Sequence, residues 1–231
     1  MSAFKHLFFD LDRTLWDFET NSHETLLELH SRHGLAARGV GDAEHFITEY
    51  KRINELCWAD YRVGKVTKAE LRGMRFRKTL QFFNIDDDQL AEDFGNEYIA
   101  LCPLKSKVFP NTYETLDYLA PKYQLHIITN GFEEVQHIKL REAKLTDYFD
   151  VLVVSEQVGE KKPHPAVFEF AMNQAKTNAA ESLMIGDDLP VDILGAQNIG
   201  MKGVYFNPHE LPHDEEPAYE IQDLIQLTEF L

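Results

Sequence analysis

The sequence is poor in the features that mark several large protein classes. It contains two cysteines, Cys57 and Cys102, and their spacing suits neither a metal site nor a secreted disulfide framework. Basic residues are outnumbered, 23 against 39 acidic ones, and the net charge is −16. Such a surface repels nucleic-acid backbones and anionic membranes, so neither is an expected partner. A local cation and a lysine can reverse that field inside one cleft, so an anionic small substrate stays open. No apolar run approaches the ~20 residues of a membrane span. No basic segment followed by an apolar stretch opens the chain, so no signal peptide is expected and the chain reads as cytoplasmic. Internal repeats and low-complexity stretches are absent as well.

What is present is enough apolar material, 44% of 231 residues, for one large domain or for one core with a smaller domain inserted. Five short apolar runs stand out: Phe4–Phe9, Gln124–Thr129, Val151–Ser155, Ser182–Gly186 and Gly203–Phe206. Stretches with helical spacing separate the later ones, around Leu116 and Leu119, Val135, Ile138 and Leu140, Phe168 and Ala171, and Ile193 and Ala196. Strands alternating with helices imply βαβ units and a doubly wound, Rossmann-like parallel sheet. The segment from about 17 to 104 breaks that rhythm. It reads as four amphipathic helices, about 19–33, 42–62, 67–82 and 87–101, with Thr67 and Glu70 in a capping-box pattern. The expected organisation is therefore a core of residues 1–16 and 105–231 with a helical domain, 17–104, inserted after the first strand. The tail 208–217 reads as a surface loop, and a last helix is expected over about 219–230.

Reactive residue types collect at four strand ends. The first strand runs into Asp10, Asp12 and Thr14. Ligands of open α/β sheets bind just beyond such ends, and two acids this close repel unless a cation or shared proton lies between them. Asp12 could equally be a simple cap or turn residue. The second strand delivers Thr129, then Asn130 and Gly131. Their hydroxyl and free N–H groups suit phosphate oxygens, although an ordinary Asn-Gly turn looks the same. Lys162 precedes Pro163, which biases it towards extended backbone. It could offer a point charge to a phosphoryl group or carboxylate, or belong to a solvated loop. The fourth strand ends in Asp187 and Asp188, with Asp192 beyond. Such hard oxygen ligands suit Mg²⁺, while Asp188 could cap the following helix with Pro190 in its first turn.

Taken in order, Asp10-Leu11-Asp12-Arg13-Thr14, Thr129, Lys162-Pro163 and Gly186-Asp187 with Asp192 resemble the four motifs of the haloacid dehalogenase-like (HAD) hydrolase superfamily, and the inserted helices resemble its C1 cap. Arg13 stands where a small or polar residue is more usual. The resemblance implies that Asp10 is a nucleophile forming an aspartyl-phosphate and that Asp12 is the general acid and base. It implies Mg²⁺ held by Asp10, the backbone carbonyl of Asp12 and Asp187 with support from Asp192, and phosphoryl oxygens held by Thr129 and Lys162. Dehalogenase members lack the second acid of the first motif, so Asp12 argues for phosphate transfer.

Further stretches resemble the YjjG-type pyrimidine 5′-nucleotidase branch: Asn54-Glu55-Leu56-Cys57-Trp58-Ala59-Asp60-Tyr61, Arg75-Phe76, Ile128 to Phe132, and Asp147 to Gly159. The implied substrate is a nucleoside 5′-monophosphate with a pyrimidine or non-standard base. Other small phosphate esters, such as a sugar phosphate, an acylneuraminate 9-phosphate or phosphoglycolate, are the alternative. Trp16 and Phe18, leaving the active-site turn, could wall the cleft, and Trp58 and Tyr61 are candidate aromatic faces for the base; each could equally be core packing. A phospho-accepting receiver-like module also pairs acids with a Lys and a hydroxyl, but the helical insert and the late Gly186-Asp187 pair count against it. The expected state is a monomer or small homo-oligomer.

Overall fold

The computed structural model describes residues 4–231, so the first three positions of the expected core segment 1–16 lie outside the described residues. Two compact units divide the chain: one runs to Phe18 and resumes at Ser106–Leu231, and the other is Glu19–Lys105.

The first unit is built on six strands: β1 (His6–Phe9), β2 (Gln124–Thr129), β3 (Val151–Val154), β4 (Ser182–Gly186), β5 (Lys202–Phe206) and β6 (Tyr219–Ile221). They lie in the order β3-β2-β1-β4-β5-β6, and every neighbouring pair is parallel. β1 and β4 are buried along their whole length, which is why both read as continuous apolar runs. The strand order reverses at β1. From there the chain builds outward to β2 and β3, then returns to the other side of β1 for β4, β5 and β6. Phe9 pairs with Ile127 of β2 and Ile185 of β4, so three strands end together beside the switch point, where open α/β sheets bind ligands.

The second unit is helical: α1 (Phe18–Arg32), α2 (Ala43–Arg62), α3 (Lys68–Phe82) and α4 (Asp88–Leu101). Its local chemistry matches the sequence signals. Thr67 and Glu70 close a capping box on α3, Asp42 caps α2, and Asp87 caps α4. α3 packs against both α2 and α4. The seam is aromatic, with ring centroids 5.0 Å apart for Tyr50 and Phe76, 5.4 Å for Phe76 and Phe94, and 5.3 Å for Phe76 and Tyr98. Contacts of that geometry add about 0.5–1.5 kcal/mol per pair beyond area burial. Among the described residues no helix is long and apolar enough to cross a membrane.

Around the sheet lie α5 (Thr112–Leu119), α6 (Glu133–Glu142) and α7 (Pro165–Ala175). Phe168 and Ala171 of α7 enter the core beside Phe8, Ile128, Val153 and Met184. The expected final helix over 219–230 is not formed. Tyr219–Ile221 instead pairs in parallel with the open edge of β5, and a 3₁₀ run follows over Leu224–Glu229. Tyr219, Ile221, Leu224 and Leu227 mix spacings of two and three, so periodicity alone was ambiguous. Asp223 decides the matter: it caps the 3₁₀ run through Ile225 N–H, and the Gln226 side chain returns to the Asp223 N–H at 2.9 Å.

Candidate active site

Asp10 is the first residue beyond β1. Its N–H still donates to the Ile185 carbonyl at 2.8 Å, so the backbone remains in the sheet while the carboxylate stands at the edge. Lys162 reaches it from the loop after β3. The Lys162 N–H donates to Asn130 Oδ1 at 2.9 Å, and Asn130 Nδ2 donates back to the Lys162 carbonyl at 3.0 Å. This reciprocal pair ties the loop to the turn after β2 and fixes where the lysine starts. Lys162 Nζ then donates to Asp10 Oδ1 at 2.6 Å and to the Ile128 carbonyl at 2.7 Å. It also lies 2.7 Å from Asp192 Oδ1, close enough for an ion pair but without hydrogen-bond alignment. The lysine side chain is 1% exposed. Burial disfavours its charge, but Asp10 and Asp192 outweigh that and hold its pKa above the ordinary value.

The turn after β4 completes the acidic side. Thr14 Oγ1 donates to Asp187 Oδ1 at 3.2 Å. Asp192 sits on a π-helical turn over Leu189–Leu194, where Asp188 caps the turn and donates its own N–H to Asp192 Oδ2 at 3.2 Å. A side chain at Gly186 would put Cβ 2.3 Å from that same oxygen, so glycine is what admits Asp192 to the site. Oxygens of Asp10, Asp187 and Asp192 lie within 4.8 Å of one another. Burial raises the carboxyl pKa of both Asp10 and Asp187. For Asp10, Lys162 opposes the rise while Asp192 adds to it. For Asp187, Asp10 and Asp192 raise it further and Arg13 opposes. Three close acids with one lysine carry a surplus of buried negative charge, and all-oxygen donors of this kind fit a hard divalent cation.

Asp12 stands apart from that trio. Lys139 Nζ of α6 grips both of its oxygens, at 2.6 and 2.8 Å, and Gln136 Nε2 approaches Oδ2 at 3.5 Å. Arg13, next in the turn, takes a left-handed φ of 69° and lays its guanidinium 4.9 Å from the Phe18 ring centre. Trp16 is fully buried, and its ring faces the Lys139 ammonium at 4.5 Å. Thr129 is also buried, with its Oγ1 accepting from the Gly131 N–H at 3.1 Å. Trp58 and Tyr61 lie on the last turns of α2 in the helical unit, edge to face at 5.5 Å, Trp58 half-buried and Tyr61 buried.

The structure thus gathers Asp10, Asp12, Thr129, Asn130, Lys162, Asp187 and Asp192 at one sheet edge. It turns the Asn130 amide to the Lys162 backbone and Trp16 to Lys139. Lys139 and Gln136 were missed. The signal was present: both lie on the buried face of α6 with Val135 and Leu140, and a lysine on a buried face needs a carboxylate partner.

The site and the sheet define a hydrolase class. The sequence pattern of haloacid dehalogenase-like hydrolases matches residues 4–200, and the chain belongs to that family. Pyrimidine 5′-nucleotidase YjjG of Escherichia coli is 33% identical over 229 residues, covering 97% of this chain and 96% of that protein. Pyrimidine 5′-nucleotidase PynA of Streptococcus pneumoniae is 31% identical, covering 96% and 94%. The crystal structure of YfnB from Bacillus subtilis, bound to magnesium, superposes with a TM-score of 0.89 at 26% identity, covering 98% of this chain and 97% of that one.

Proposed function

We propose that this phosphoric monoester hydrolase is a cytoplasmic, Mg²⁺-dependent nucleoside 5′-monophosphatase that favours pyrimidine or non-standard bases. The observation that carries the chemistry is the pairing of Asp10 with Lys162 Nζ at 2.6 Å beside a second, separately held acid, Asp12. Asp10 attacks phosphorus and the P–O bond to the alcohol breaks, giving an aspartyl-phosphate. Asp12 gives its proton to the departing oxygen, then takes one from the water that hydrolyses the intermediate. Lys162 and the turn carrying Thr129 offset the charge on the phosphoryl oxygens. Asp10, Asp187 and the Asp12 backbone carbonyl would hold the metal, with Asp192 in support. A divalent cation bound there keeps the neighbouring carboxylates ionised and draws charge from a phosphoryl oxygen.

Two things support the substrate reading: the full-length likeness to two pyrimidine 5′-nucleotidases, and the Trp58–Tyr61 pair, whose rings suit base stacking. In this reading the helical unit is the cap. The test is a panel of pyrimidine and purine 5′-monophosphates, sugar phosphates, acylneuraminate 9-phosphate and phosphoglycolate, each with and without Mg²⁺. Fastest turnover of a pyrimidine monophosphate, abolished by chelation and by Asp10→Asn, is the expected result. A sugar phosphate turned over faster than every nucleotide would replace the substrate reading. Full activity of Asp10→Asn would overturn the mechanism.

A further inference from the structure

Lys139 is an expensive residue to bury. It is 5% exposed on the inner face of α6, and an ammonium taken from water costs several kcal/mol (roughly) unless it is paired. Here it is paired on two sides. Its Nζ bonds both oxygens of Asp12, and its cationic head lies over the ring of Trp16. Gln136, one turn earlier on the same face, approaches Asp12 Oδ2. Gly131 leaves room for this: a Cβ there would stand 1.7 Å from Gln136 Nε2 and 3.2 Å from Asp12 Oδ2.

Asp12 lies on a short irregular turn, with 24% of its side chain exposed against 7% for Lys139. The lysine therefore holds the carboxylate from the buried side, while part of the Asp12 side chain stays exposed. Proton transfer depends on orientation, and a misplacement of about 1 Å can cost on the order of 10²-fold. We propose that Lys139, assisted by Gln136 and seated on Trp16, is a positioning residue that acts through Asp12, holding the proton-transfer carboxyl in line with the leaving-group oxygen. Lys139 itself exchanges no proton. The proton that Asp12 gives to the alcohol is replaced by the one it takes from water, so the cycle balances with Lys139 unchanged. The inference rests on the reading of Asp12 as general acid and base.

The test compares Lys139→Met, Lys139→Arg and Asp12→Asn on uridine 5′-monophosphate and p-nitrophenyl phosphate. The first has an alkoxide leaving group that needs a proton; nitrophenolate needs none. Rapid-mixing measurements follow the first release of nucleoside or nitrophenolate. In Lys139→Met, first release of uridine should slow at least tenfold with KM within about twofold, while first release of nitrophenolate stays within about threefold of the parent. Lys139→Arg should recover most of the loss. Equal slowing of both leaving groups, or no slowing of either, with Asp12→Asn inactive on the nucleotide, overturns the role of Lys139 alone. Parent-like rates for Asp12→Asn overturn the reading of Asp12 and the proposal with it. Thermal melts of each variant identify a folding failure, and the arginine variant then decides.

Discussion

The Thr14 hydroxyl donates to Asp187 Oδ1 at 3.2 Å, joining the turn after β1 to the turn after β4 across the point where the strand order reverses. Thr14 is fully buried, while Asp187 is partly exposed, so the donor side of the bond is the one closed to water. It orients a carboxylate that burial and its neighbours Asp10 and Asp192 disfavour in the ionised form. Thr14→Val keeps the shape and removes the donor. Loss of a part-buried hydrogen bond to a carboxylate should lower stability by about 1 kcal/mol, raise the Mg²⁺ concentration for half-maximal activity several-fold, and be reversed in Thr14→Ser. Activity titrated against Mg²⁺, with a denaturant curve for each variant, is the check. An unchanged Mg²⁺ requirement in the valine variant would show that Asp187 does not depend on this hydroxyl.

Gly186 is the last residue of β4, and its missing side chain is occupied by Asp192. A Cβ would stand 2.3 Å from Asp192 Oδ2 and 2.6 Å from Cγ. Gly186→Ala should therefore push Asp192 away from Lys162 Nζ. Overpacking of this order costs about 1–3 kcal/mol, and activity should fall with it. Gly73→Ala, where a Cβ meets nothing within 4 Å, is the matched control. Chemical denaturation and kcat for the two variants test it, and equal effects would refute the steric argument.

Much of this was legible in the sequence because local chemistry and global fold agree. Fully buried strands showed as apolar runs, and the helix caps Asp42, Thr67 and Asp87 sit at or beside the starts that the spacing marked. Asp10 and Asp187 could be picked out because each lies just beyond such a run, and Lys162 because it precedes a proline. What stayed hidden depends on long-range pairing. β6 exists because β5 has a free edge, which three residues cannot announce. Lys139 and Gln136 act on Asp12 from 127 and 124 positions away; their spacing puts them on the buried face of α6, but nothing local names Asp12 as their partner. Trp16 looked available because it follows the first motif, yet its ring is used from below by Lys139.

His6, at the start of β1, and His126, within β2, form a buried pair. Their rings stack at 5.3 Å, with His6 Nδ1 and His126 Nε2 3.0 Å apart. One nitrogen must donate and the other accept, so at least one of the two rings must be neutral. Burial lowers both pKa values, that of His126 to about 4, with the His6 charge adding to it. Unfolded histidine takes a proton near pH ~6.5, while folded His126 resists until about pH 4. Stability is thus complete above pH ~6.5 and falls as pH drops through that window, because the unfolded chain then binds more protons. The His126 share is at most about 3 kcal/mol, reduced by solvent screening. His126→Phe, which keeps a ring against Phe8, should flatten the curve between pH 6.5 and 4 relative to the parent. Urea denaturation across that range measures it, and parallel curves would rule out the pair as the source.

Arg75 is the counterpart in the helical unit, a buried cation with no carboxylate beside it among the described residues. It is 3% exposed, its guanidinium lies 5.0 Å from the Phe76 ring centre and 5.1 Å from that of Tyr98, and Nη1 donates to Asn54 Oδ1 at 3.2 Å. Nε has no partner. Asn54 thus carries the hydrogen bonding of a charge that the ring faces only partly compensate. Removing it alone leaves the guanidinium desolvated, a loss of about 2–3 kcal/mol for a bond to a charged group. Removing both partners eliminates the burden. Asn54→Leu should therefore unfold at markedly lower urea, and the double variant Asn54→Leu with Arg75→Met should be more stable than that single variant despite its additional substitution. A double variant no more stable than Asn54→Leu would mean that the aromatic faces, rather than Asn54, hold the buried charge.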